Sequence, residues 1–123
     1  VLTVLTSVIS VNKDIDALII DAGWMALSRD RGTSSQSIDY GYGQVCNENG
    51  NIIKDLIVTN VQQEHGIIQI RKGSSEKLPD LIQGDLLRIL PNHACSTAAA
   101  HNKYHIIKKD SNKVETWERF GGW

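Results

Sequence analysis

The segment "LRILPNHACSTAAAHNKYHII", residues 87–107, sets His93 and Cys95 two positions apart, directly after an apolar run and Pro91. An imidazole and a thiolate together suit a borderline-soft ion such as Zn2+, whereas Mg2+ and Mn2+ favour oxygen donors. His101 and His105 follow in the same stretch and raise the prospect of a closed site with four protein ligands. Geometry opposes it: extended chain rises roughly 3.3 Å per residue, so residues four apart in a strand lie about 13 Å from one another. With "KYHIIKK" read as a strand, His101 and His105 are too far apart to share one ion. His93 and Cys95 remain the candidate ligands. Two donors do not complete a tetrahedral structural site, so a metal held by this pair borrows ligands from elsewhere or stays open to water and substrate. The same residues also have a plain structural reading, because cysteines are commonly buried and a lone histidine is often a satisfied packing group.

The elements that must present this pair read mostly as strands. Short β-branched runs separated by polar or glycine-containing turns predict strands over 1–11, 17–21, 43–46, 52–60, 66–71, 85–90, 105–109 and 114–118. The expected fold class is all-β, a barrel or sandwich with one or two short helices, in a single domain covering residues 1–123. Asn49-Gly50 in "CNENGNI" supplies the residue pair that satisfies the positive φ angles of a tight hairpin turn, so the flanking strands should pair. "DAGWMALSRDRGTSSQSIDYGYG", residues 21–43, interrupts the strand pattern with a long polar excursion. Connections of this length are either binding loops or solvated insertions.

Composition removes several function classes. The chain is 41% hydrophobic and 22% charged, values of an ordinary globular domain. A net charge of −1 with intermixed signs argues against a nucleic-acid surface or a polybasic membrane patch. No apolar stretch reaches the roughly 20 residues of a membrane span, and the first residues have no basic n-region or cleavage site. A soluble, cytoplasmic protein is expected. Cys46 and Cys95 are too sparse for a disulfide framework. The chain opens at Val1 inside a strand-like run, without an initiator Met, and reads as part of a longer polypeptide.

There is no G-x-G-x-x-G after a strand, no phosphate loop, no H-E-x-x-H and no G-x-S-x-G. Glu64 and His65, at the end of a strand-like run, read as a surface pair. Tyr40 and Tyr42 stand among glycines where the backbone turns sharply, and suit either ring presentation or packing. Trp24, Trp117 and Trp123 read as core or interface anchors, and Asp30 with Arg31 as a solvated turn.

Taken in order, "DAGWMALSRDRG" (21–32), "GYGQV" (41–45), "EHG" (64–66), "GDLLRILPNHACST" (84–97), His101 and "WERFGGW" (117–123) resemble the C-terminal domain of the D-serine dehydratase and D-threonine aldolase family. The resemblance covers nearly the whole chain. It implies a C-terminal β domain whose partner, an N-terminal (β/α)8 barrel carrying pyridoxal 5'-phosphate on a lysine, lies outside these residues. It also implies a homodimer, a D-amino acid substrate and His93 and Cys95 as zinc ligands. The aldolase branch is similar but tends to carry aspartate where Cys95 stands, so cysteine favours the dehydratase. The expected reaction is the β-elimination of D-serine to pyruvate and ammonia, with no activity from this domain alone. The alternatives are a D-threonine aldolase-type lyase, a racemase of the same superfamily, and a non-catalytic β module for dimerisation or binding. Glu64 and His65 match the family's "EHG" without an assigned role.

Overall fold

The β-branched runs fold as strands, and the computed structural model describes them within residues 1–109, 111 and 113–121. In chain order the elements are β1 (Val4–Asn12), β2 (Ala17–Ile20), α1 (Trp24–Leu27), β3 (Gly43–Asn47), β4 (Ile52–Val61), β5 (Gly66–Ile70), β6 (Leu86–Pro91), α2 (Ala94–Ala100), β7 (Lys103–Ile107) and β8 (Val114–Glu118). The first six strands close a barrel in the order β1-β2-β5-β4-β3-β6, and β7 with β8 forms a separate two-stranded sheet. All strand pairs are antiparallel. This is the all-β class expected from the sequence, with two short helices. The seventh strand begins at Lys103, ahead of the expected start at residue 105.

Inward side chains of every barrel strand fill one core: Val8, Leu18, Ile20, Val45, Leu56, Val58, Ile68, Leu87 and Ile89 are each at most 1% exposed. Fully burying an aliphatic side chain of this size contributes about 1.5–3 kcal/mol. On β6, Leu87 and Ile89 point inward while their neighbours are less buried, the alternation of a barrel wall.

The Asn-Gly turn joins β3 to β4 as expected, but with different geometry. Asn47 donates its amide to the Asn51 carbonyl, Gly50 donates to the Asn47 carbonyl, and of the turn residues only Gly50 has positive φ, at 86°. The loop is thus a three-residue turn with glycine at the left-handed position, not a two-residue turn with two such residues. Gly66 of "EHG" has a steric reason of its own: a Cβ there would lie 2.6 Å from the Ala22 carbonyl oxygen.

β4 changes direction at Asp55, whose φ is 56°. Its carboxylate accepts from Arg71 Nε and Nη2 at 3.1 and 3.0 Å and from the Ser74 hydroxyl at 2.7 Å. The Ser74 hydroxyl and the Arg71 guanidinium hold the Asp55 carboxyl below its ordinary range. A carboxyl depressed in the folded state stabilises fully above its unfolded value of about 3.9 and loses that effect as pH falls through the lower folded value. Urea midpoints should therefore drop on acidification below about pH 4. Asp55→Asn should flatten that drop, as followed by tryptophan fluorescence.

Candidate metal site

β6 is hydrogen-bonded to β1 on one side and β3 on the other. The chain therefore leaves the barrel at Pro91 from a fixed position. Asn92 then ties the exit to the long 28–42 loop: its amide donates to the Tyr42 carbonyl at 3.2 Å, and its side-chain Nδ2 donates to Thr33 Oγ1 at 3.0 Å and to the Gly41 carbonyl. Gly41 adopts φ of 60°, a left-handed conformation suited to glycine, with the Val58 carbonyl packed where a Cβ would stand.

His93 is extended, with φ −128° and ψ 93°, and caps α2. The helix itself follows from composition, since "ACSTAAA" is rich in the strongest helix former. Two side chains clamp it to α1. The buried Thr97 hydroxyl donates to the Leu27 carbonyl at 2.6 Å, and His101 Nε2 donates to the Ala26 carbonyl at 3.0 Å. His101 is thus engaged in the fold. His105 lies on exposed β7, its Nδ1 3.4 Å from the Thr116 hydroxyl.

His93 is half-exposed and Cys95 exposed on the same turn. Cys46 is wholly buried in β3 and both cysteines are free, as the sparse cysteine count implied. Burial pushes the Cys46 thiol up, so of the two cysteines Cys95 is the one placed to act as a ligand. Among the described residues, no group of three or more His, Cys, Asp and Glu side chains is placed to hold a metal ion. The pair, one imidazole and one thiol, suits a borderline-soft ion bound at an open position.

Asp30 is exposed in the loop, as a solvated turn implies, yet it also engages the site: its Oδ2 lies 2.6 Å from His93 Nδ1 and accepts from the Ser96 hydroxyl at 2.7 Å. Hydrogen bonds from Ser96 and His93 hold its carboxyl below the ordinary range. Asp30 and His93 are 63 residues apart in sequence, and nothing in their spacing signals the contact. Arg31 pairs with Asp39 and lies over the Tyr42 ring, 5.4 Å from its centroid. The 21–43 excursion thus packs against the barrel exit, touching His93 and Ser96 through Asp30 and Asn92 through Thr33 and Gly41. Glu64 and His65 sit exposed in the β4–β5 turn, as a surface pair would. Trp24 packs against the core, Trp117 is 57% exposed, and Trp123 lies outside the described residues.

Fold and site together define a β-barrel domain that presents an imidazole and a thiol at one end. The family described as "Putative serine dehydratase domain" matches residues 1–107, and the chain belongs to that family. It is 46% identical to the D-threo-3-hydroxyaspartate dehydratase of Delftia sp. (strain HT23), over 99% of this chain and 32% of that enzyme. The solved structure of the Delftia enzyme superposes with a TM-score of 0.87. An alanine-racemase-like protein from Idiomarina loihiensis is 47% identical with a TM-score of 0.88, over 98% of this chain and 32% of its own. The D-serine dehydratase of Dictyostelium discoideum is 29% identical over 98% of this chain and 30% of its length. The chain thus spans about a third of these relatives. D-threo-3-Hydroxyaspartate dehydratase has also been solved as a cysteine-to-alanine mutant in the metal-free form and as a histidine-to-alanine mutant, the two positions standing two residues apart.

Replacing Thr97 with valine keeps its shape but strips the Leu27 carbonyl of its buried partner, at a cost of about 1–3 kcal/mol. A lowered urea midpoint in Thr97→Val, largely recovered in Thr97→Ser, is the expected result.

Proposed function

We propose that this domain, residues 1–123, is the C-terminal, metal-binding part of a pyridoxal phosphate-dependent dehydratase acting on a 3-hydroxy D-amino acid. The observation that carries the reading is the exposed His93-x-Cys95 pair at the barrel exit. Its spacing is that of the histidine and cysteine replaced in the D-threo-3-hydroxyaspartate dehydratase mutants, one of them metal-free.

His93 offers a ring nitrogen lone pair and Cys95 a thiolate once its proton is displaced by coordination. Zn2+ is the ion this donor pair favours. Once bound, it supplies Lewis acidity toward the substrate's β-hydroxyl, and pyridoxal phosphate supplies the electron sink for the carbon framework. Two protein ligands leave the remaining positions for oxygen donors, which is what a hydroxyl-bearing substrate requires. The cofactor lysine and the base that removes the Cα proton belong to an N-terminal (β/α)8 barrel outside this chain. A homodimer is the inferred assembly, neither nucleic acid nor membrane is a partner, and the cytoplasm is the inferred setting, where free thiols such as Cys46 and Cys95 persist.

D-Serine, giving pyruvate and ammonia, is the substrate expected from the sequence. A specific observation favours a second reading: identity is 46% to the hydroxyaspartate dehydratase against 29% to the Dictyostelium D-serine enzyme. D-threo-3-Hydroxyaspartate would give oxaloacetate and ammonia. Assays of both keto acids, with glycine release from D-threonine as the aldolase control, separate these readings.

In the full-length polypeptide, His93→Ala and Cys95→Ser should each lose the bound metal, about one equivalent per chain. Both should lose elimination activity while retaining the visible absorbance of the cofactor. Wild-type metal content and turnover in His93→Ala would sink the proposal.

A further inference from the structure

Resting on the reading of His93 as a metal ligand, we infer that Asp30, supported by Ser96, is a positioning residue that fixes which imidazole nitrogen faces the metal. Asp30 Oδ2, His93 Nδ1 and Ser96 Oγ form a closed triangle with sides of 2.6, 2.7 and 3.0 Å. Only one arrangement of protons satisfies all three. A carboxylate only accepts, so the Ser96 hydroxyl donates to Asp30, and Nδ1 must carry a hydrogen directed at Asp30 and the Ser96 lone pair. The opposite tautomer would set the Nδ1 lone pair against an anionic oxygen at hydrogen-bond distance. The ring is therefore held with Nδ1 protonated, and Nε2, which has no hydrogen bond among the described residues, is the nitrogen left to coordinate.

The same triangle excludes Asp30 as a ligand to that ion. A group bonded to Nδ1 stands across the ring from Nε2, so the carboxylate cannot hold the imidazole and bind the same ion. Its part is to choose the tautomer and stop the half-exposed ring from rotating. Carboxylates in this relation to a ligating histidine also raise its basicity, and their loss typically costs 10–100-fold in metal affinity. Asp30 reaches the site from the long loop, and Ser96 sits one residue beyond Cys95 on α2. The loop and helix thereby meet at the ring itself.

The test uses the full-length polypeptide, with Zn2+ affinity from chelator competition and Co2+ substitution as the spectroscopic probe. Asp30→Ala should weaken Zn2+ binding by about 10–100-fold and shift the Co2+ absorption bands. Asp30→Asn, whose side-chain oxygen still accepts from Nδ1, should recover most of the loss, a rescue that a purely structural role of the charge would not give. With 15N-labelled histidine in the metal-free protein, His93, assigned by the His93→Ala difference, should show the Nδ1-protonated form. The tautomer with Nε2 protonated and Nδ1 bare, found in the unsubstituted protein, overturns the inference whether or not the alanine variant folds. Unchanged affinity in Asp30→Ala, alongside lost affinity in His93→Ala, overturns it while leaving the metal site intact. Unchanged affinity in His93→Ala removes the metal reading, and this inference with it.

Discussion

The site depends on the closure of the barrel, and in particular on the position of β6 between β1 and β3. Backbone hydrogen bonds on both sides, with Leu87 and Ile89 buried beneath, leave the strand little freedom to slide or tilt. Two residues past its end stands His93, and two further Cys95. A pair so close to a rigid strand inherits its precision, whereas the same residues in a free loop would have to be ordered at the cost of conformational entropy.

Precision at one point does not set direction, and the rest of the local structure supplies it. Thr97 and His101 clamp α2 against α1 through two consecutive carbonyls, Leu27 and Ala26. Asn92 stitches the barrel exit to the loop that ends at Tyr42. The Tyr104 hydroxyl and Arg119 reach the carbonyls of Ala98 and Ala99, so the hairpin holds the other end of α2. Most of these bonds join a side chain to a backbone carbonyl. They convert a seven-residue helix, too short to be stable alone, into a fixed platform.

The strands were legible because β-branched alternation is a local signal, written every second residue and independent of what lies across the barrel. The His-x-Cys pair was legible for the same reason. Residues 94–100 carried a readable helix signal in their alanines, overshadowed by the strand-like runs on either side. Asp30 was not legible: its role arises from a loop folding back on a histidine far along the chain, and a lone aspartate beside an arginine looks like any solvated turn. The glycine of "EHG" had a cause invisible in one dimension, the Ala22 carbonyl packed against it. The left-handed Gly50 was anticipated, but the number of residues in its turn depends on the register of β3 and β4, which the pair alone does not specify.

The β7–β8 hairpin has a consequence of a different kind. A closed barrel offers no unpaired strand edge, so its backbone cannot template further pairing. Among the described residues the two-stranded sheet stands outside that closure with no strand paired on either flank, and Ile107, Val114 and Trp117 on it are each more than half exposed. Backbone pairing with a further strand, whether from another domain or another copy, is therefore a role open to this ribbon and closed to the barrel, at two short strands that contribute nothing to the barrel's own core.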